Sequence, residues 1–259
     1  MRARDVSMQL PHQQDTPRGT VMPLDIKPIP VLSDNYAWLL TATEGQRAVV
    51  DPGEAGPIMD EIGEGRLDMI LLTHHHADHT AGTDALRERY GAKVYGPRQK
   101  REWLPRLDHD VEDGDSFSLG SAQIRVLSTP GHAVGHVSYV VPEVPALFCG
   151  DVLFSLGCGR LLEGTAQELF DSLHRYDSLP DQTLVCAGHE YTRSNLAFAL
   201  HVDPDNAALK ARAGEVERLL EAGRPTLPVS LGVERRTNPF LLAPDVATFA
   251  RLRREKDTF

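Results

Sequence analysis

The chain of 259 residues is poor in cysteine, with only Cys149, Cys158 and Cys186. An odd, small set argues against a disulfide framework and suits buried thiols in a reducing, cytoplasmic compartment. No apolar run is long enough to cross a membrane. Basic residues are in deficit, 27 against 37 acidic, for a formal charge of −10. With no added basic domain, that disfavours a nucleic-acid partner. The first stretch has no signal-peptide core either. Residues 1–21 carry Pro11, Gln13, Gln14, Asp15, Pro17 and Gly19, which read as a disordered leader before a start at Met22. No internal repeat stands out.

Histidine is what the chain concentrates. The run Thr73-His74-His75-His76-Ala77-Asp78-His79 follows the apolar stretch Leu67–Leu72 and precedes a helical pattern, so it sits where a strand ends. Imidazole and carboxylate are ligands of zinc, iron(II) and manganese(II). In extended chain His74 and His76 point the same way and can grip one ion. Asp78 and His79 diverge from that pair toward a second. Three more strand-like runs end in a polar residue beside a glycine, at Gly131-His132, Gly150-Asp151 and Gly188-His189. Four such strand ends on one edge build the active site of a layered α/β protein. His75 alternates away and reads as structural. His136 reads as a partner behind the ligands, and His12, His109, His174 and His201 as packed or surface residues. Cys158 lies near the site, but seven other ligands suffice without it.

The patterns predict strands near 24–32, 36–43, 47–51, 67–73, 92–96, 116–120, 122–128, 136–141, 145–150 and 183–187, and helices near 55–63, 80–90 and 166–178. From Tyr191 on, the helical patterns 192–201, 205–222 and 244–255 take over. The expected division is a leader, a catalytic domain over 22–190 and a helical substrate-binding subdomain over 191–259, as a monomer.

The order His-x-His-x-Asp-His, His, Asp, His resembles the metallo-β-lactamase superfamily. That resemblance implies an α+β, four-layer αβ/βα sandwich. The runs Gly150–Phe154, Gly157–Arg160, Glu163–Thr165, Gly188–Thr192, Asn238–Phe240 and Arg253–Asp257 narrow it, because together they resemble the hydroxyacylglutathione hydrolase (glyoxalase II) family. Its implied reaction is hydrolysis of S-D-lactoylglutathione and related 2-hydroxyacylglutathiones to the hydroxy acid and glutathione. The resemblance implies a first metal on His74, His76 and His132, a second on Asp78, His79 and His189, and Asp151 bridging both. It gives Arg160, Tyr191, Arg253 and Lys256 to the glutathione moiety. Some relatives have Lys in place of Arg160 and a glutathione-binding Tyr in place of Leu162. Zinc is the expected metal, with iron and manganese accepted by the same donors.

Two metals would bring the pKa of bound water toward ~7. The hydroxide then attacks the thioester, and the departing thiolate, with a thiol pKa of ~8.5, needs no strong acid. Asp78 is placed to take the hydroxide's proton. An anionic substrate on an acidic protein needs a local basic patch, which Arg251, Arg253, Arg254 and Lys256 supply. The competing readings are a persulfide dioxygenase, a β-lactamase or another hydrolase of the same fold, and a non-catalytic binding module.

Overall fold

A computed structural model describes residues 24–259. The expected leader over 1–21 and His12 lie outside the described residues. The first sheet is built from β1 (Leu24–Val31), β2 (Asn35–Ala42), β3 (Arg47–Val50), β4 (Met69–Leu71), β5 (Lys93–Pro97) and β6 (His109–Val111), in that order. The first three strands are antiparallel, and β3 through β6 pair in parallel. Helices α1 (Ala55–Ile62), α2 (Ala77–Thr80) and α3 (Thr83–Tyr90) fall between its strands.

The second sheet contains β7 (Ser116–Leu119), β8 (Ala122–Ser128), β9 (Val137–Val141) and β10 (Ala146–Gly150). After β10 come a small hairpin, β11 (Leu153–Phe154) and β12 (Gly157–Cys158), then helix α4 (Ala166–His174) and strand β13 (Leu184–Ala187). The remainder comprises α5 (Thr192–Val202), α6 (Ala207–Glu221), β14 (Val229–Ser230), α7 (Leu231–Thr237) and α8 (Val246–Thr258). The second sheet is ordered β14-β13-β10-β9-β8-β7, with β10 and β13 parallel.

Strand alternation sorts the core. Trp38, Leu40, Val50 and Leu71 turn inward and pack with Ile124, Val126, Tyr139 and Phe148 of the second sheet. Their neighbours Leu39, Val49, Ile70 and Leu72 turn outward and meet Ile58, Ile62 and Leu86 of α1 and α3. The inward Trp38 also donates its indole N–H to Ala187 O at 2.9 Å, tying the two sheets. On the far side, Leu169 and Leu173 of α4 join the central core. The result is the expected four-layer α+β sandwich. Helix α4 starts in a full capping box, Thr165 with Glu168. Phe249 of α8 packs edge-on against Phe170 of α4.

Several elements depart from the sequence reading. The expected helix 80–90 begins only at Thr83, preceded by the separate short helix Ala77–Thr80, and Gly82 between them sits against the 52–55 backbone, where a Cβ would meet Pro52 O at 2.7 Å. The expected 166–178 helix stops at His174. Strands β6, β14, the β11–β12 hairpin and helix α7 were not expected. Three of these are two or three residues long, too short for periodicity to register, and exist because a neighbouring strand completes them. Among the described residues no helix is long and apolar enough to cross a membrane.

Candidate metal centre and adjoining pocket

The parallel strands end together, and their C-terminal ends carry the site. The chain leaves β4 through His74 and His76, then turns into α2, whose first turn holds Asp78 and His79. This differs from continued extension, yet adjacent helical positions still diverge, so Asp78 and His79 face a different point from the first pair. His132 arrives from the loop after β8, Asp151 from the end of β10 and His189 from the end of β13.

All seven residues meet. His74 Nε2 lies 3.0 Å from His76 Nδ1, and His132 Nε2 lies 3.2 Å from the same atom. Asp78, His79 and His189 form a second group. Asp151 stands between the groups. Its Oδ2 is 3.5 Å from His132 Nε2 and 3.3 Å from His189 Nε2, while its Oδ1 is 3.4 Å from His79 Nε2.

Hydrogen bonding at the outer nitrogens sets each tautomer. His79 Nδ1 donates to Asp51 Oδ2 at 3.0 Å, and His189 Nδ1 to Asp34 Oδ1 at 2.8 Å. His132 Nδ1 donates to Arg160 O at 2.9 Å, and His76 Nε2 to Glu163 Oε1 at 3.0 Å. Thr73 Oγ1 gives its proton to Asp51 Oδ2 at 2.6 Å, so it accepts from His74 Nδ1 at 2.9 Å. In its neutral form each ring therefore directs the lone pair of its inner nitrogen at the cluster, where Asn35 Nδ2 also comes within 3.3 Å of His189 Nε2. His79 Nε2 and Asp151 Oδ1 are buried and have no hydrogen-bond partner among the described residues. Converging lone pairs and carboxylates in a buried space repel one another unless cations lie between them. The donor set thus fits metal ions.

The ionisation of the side chains agrees. Burial, with its neighbouring imidazoles, holds His74 well below the usual histidine range, keeping it in the neutral form a ligand needs. Burial also pulls His189 down, but Asp151 and Asp78 outweigh it and raise it to about 10. Burial pushes Asp151 up, yet His79 and His189 bring it well below the carboxylate range. The acidic half of the cluster demands positive charge.

Four residues behind the ligands went unassigned from sequence. Asp51 accepts from Thr73 N and Oγ1 as well as from His79. Its place at the end of β3, before Pro52-Gly53, was the available signal, since it is another strand-end carboxylate on the same edge. Asn35 donates to Asp78 Oδ2 at 3.1 Å. Asp34 and Glu163 are loop residues that meet histidines only in three dimensions. His136 is buried behind the ligands, stacked on His74 at 4.8 Å and accepting from Asp151 N at 3.3 Å. His75 lies outside the cluster, near Glu163 and edge-on to Trp103. Cys158 faces the Arg253 guanidinium, with Sγ 3.7 Å from Nη1, and not the ligands.

A cavity of about 380 Å³ adjoins the centre, and Arg160, Tyr191, Arg253 and Lys256 all line it. Tyr191 joins pocket to centre, because its ring stacks on His189 with centroids 4.5 Å apart and planes at 7°. Leu162 is exposed outside this lining. The four residues are not equivalent. Arg253 is buried and already bound, Nη1 to Cys158 O at 2.9 Å and Nη2 to Asp257 at 2.9 Å. Lys256 Nζ donates to Ser194 O at 2.9 Å and is more open. A cavity of about 460 Å³ beside Arg212 and Arg224 is larger, but it contains none of the clustered ligands.

Two facing mixed sheets with a histidine–carboxylate cluster at their shared edge define a metalloprotein of the αβ/βα sandwich class. Residues 32–189 match the model of the metallo-β-lactamase superfamily, and residues 190–259 match that of the hydroxyacylglutathione hydrolase C-terminus. A hydroxyacylglutathione hydrolase of Acidiphilium cryptum is 52% identical, over 89% of this chain and 95% of its own. One from Ruegeria pomeroyi is 48% identical, over 92% of this chain and 100% of its own. Among solved structures, TTHA1623 in a di-iron-bound form superposes with a TM-score of 0.62 at 28% identity, covering 83% of this chain and 100% of that one. The chain belongs to the metallo-β-lactamase superfamily and, within it, to the hydroxyacylglutathione hydrolase family.

Proposed function

We propose that the chain hydrolyses S-D-lactoylglutathione and related 2-hydroxyacylglutathiones. The observation that carries this reading is Tyr191, one ring shared by the basic pocket and the histidine cluster. A ligand whose charged peptide occupies the pocket presents its thioester to the cluster beside it.

His74, His76 and His132 would hold one metal, Asp78, His79 and His189 the other, and Asp151 both. The donors suit zinc, which we propose, and iron(II) and manganese(II) fit the same set. Bound metals would supply a water acidified toward a pKa of ~7 and would polarise the thioester carbonyl. The chain's own residues do the rest. Asp51, Asp34 and Glu163 hold histidine rings in the tautomer that faces inward. Asp78, kept ionised by His189 despite partial burial, is placed to receive a proton. Tyr191, raised to about 12 chiefly by burial, stays a neutral hydroxyl donor. Arg160 and Lys256 draw an anionic substrate to an acidic protein, and Arg253 shapes the wall between them. The glutathione thiolate leaves without a strong acid, given a free-thiol pKa of ~8.5.

We further propose that residues 191–259 act as the substrate-binding subdomain, and that the enzyme is a cytoplasmic monomer, consistent with its three free buried thiols. The test is hydrolysis of S-D-lactoylglutathione by metal-analysed protein. Turnover supports the reading. Oxygen consumption with glutathione persulfide, and no thioester hydrolysis, would replace it.

A further inference from the structure

The β11–β12 hairpin links the metal cluster to the C-terminal helices. At its open end stand Asp151, two residues before β11, and Arg160, two residues after β12. Asp151 lies between the two metal groups, and the Arg160 carbonyl orients His132. Gly159 closes this base. Its N–H donates to Val152 O at 3.2 Å, and a Cβ there would meet the His132 Cβ at 3.1 Å. The placement of one bridging carboxylate and one histidine thus depends on where the hairpin sits.

The turn of the hairpin, Ser155-Leu156, is buried and cannot hold itself. Leu156 has φ of 61°, a left-handed conformation that disfavours a side chain. Side chains from beyond residue 190 take up its polar groups. Glu234 accepts from Leu156 N at 2.7 Å and from Ser155 Oγ at 2.9 Å. Asn238 donates to Phe154 O at 3.2 Å and to Gly157 O at 2.9 Å, and is also 2.9 Å from Glu234 Oε2. Asn195 donates to Ser155 O at 3.1 Å. Glu234 and Asn238 are fully buried, at 0% exposure each. A buried carboxylate is costly unless it is fully hydrogen-bonded. Glu234 meets that condition through Leu156 N, Ser155 Oγ and Asn238 Nδ2, so its bonds fix the hairpin turn as well as attach the helices.

We propose that Glu234 and Asn238 are positioning residues, which clamp the hairpin turn so that Asp151 and the Arg160 carbonyl keep their places in the metal centre. The inference rests on the metal-centre reading, and its consequence for turnover rests on the thioesterase reading as well. The clamp acts through the hairpin over its whole length and touches neither metal nor substrate.

The experiment is chelator competition for metal in purified, zinc-loaded full-length protein, with no substrate present. Glu234→Gln replaces one acceptor with an N–H₂ facing Leu156 N–H or Ser155, and should weaken metal retention by about tenfold. The kcat for S-D-lactoylglutathione should fall by a similar factor. Ile62→Ala, in the outer core between the first sheet and α1, which holds no hairpin residue, serves as the comparison. It should lower the Tm without changing metal retention or kcat. Should Glu234→Gln fail to fold, Ser155→Ala removes one donor to the same carboxylate, and a two- to threefold loss of metal retention is expected. Parent-like metal retention in a folded Glu234→Gln or Ser155→Ala protein would overturn the proposal, as would a loss no larger than that of Ile62→Ala. Because retention is read without substrate, a parent that failed to hydrolyse the thioester would overturn the functional reading alone.

Discussion

His79 Nε2 and Asp151 Oδ1 face each other across 3.4 Å, both buried and both without a hydrogen-bond partner among the described residues. Neutral His79, with Nδ1 donating to Asp51, turns a lone pair toward that carboxylate. Two acceptors held that way are stable around a cation. Loaded protein should therefore contain about two metal ions per chain. Asp151→Ala should lose both, and His79→Ala chiefly one, by elemental analysis after gel filtration. Two tightly held ions in Asp151→Ala would show that it does not bridge.

Metal removal should cost stability as well as activity. A ligand present at a thousandfold excess over its Kd contributes ~4 kcal/mol, so exhaustive chelation should lower the Tm by about 10 °C for a chain of this size. Calorimetry of apo and reloaded protein checks this. An unchanged Tm would mean that the cluster holds its geometry without cations.

Lys256 and Arg253 should part company on mutation. Lys256→Ala removes an accessible charge from the pocket, so KM should rise about tenfold with kcat nearly unchanged, as for uniform binding. Arg253→Ala additionally strips Cys158 O and Asp257 of their buried partner. That should cost ~2–4 kcal/mol of stability. Paired steady-state kinetics and thermal melts separate the two. A Tm equal to the parent's in Arg253→Ala would make it a substrate contact only.

Gly188→Ala tests how closely the strand ends are packed. A Cβ at this position would stand 2.5 Å from Asp151 Oδ1 and 2.6 Å from His79 Cε1. Those atoms belong to proposed ligands, so relief of the clash must displace them. We expect at least tenfold weaker metal retention, measured by chelator competition. Full retention would show slack that the packing does not suggest.

The thiols should be silent in the native protein. Burial pushes Cys158 up to about 11 even though Arg253 opposes it, and burial raises Cys149 and Cys186 as well. Since the thiolate is the reactive form, a thiol reagent at neutral pH should label all three only after unfolding. Rapid labelling of Cys158 would mean that the pocket wall opens.

The residues of the candidate metal centre were legible in the sequence because much of their geometry is local. Two-residue spacing sets His74 beside His76, and a glycine next to a polar residue at each strand end brings the others to one edge. The long strands and helices were legible for the same reason, since a period of two or of about 3.6 repeats often enough to be seen. Tertiary structure alone decided β6, the β11–β12 hairpin and β14, because two or three residues become strand only when a neighbour supplies the hydrogen bonds. It also decided which nitrogen of each histidine faces inward, through Asp34, Asp51, Glu163 and the Arg160 carbonyl, partners that are mostly far away in the chain. Arg253 reads from sequence as one of a basic group for the glutathione moiety, yet the fold buries it against Cys158. Glu234, on a helix without a distinctive pattern, reaches Leu156 across 78 residues. Spacing along the chain encodes which side chains share a strand end or a helix face. Which buried donor finds which acceptor depends on how the layers stack, and that becomes determined only when the whole core is packed.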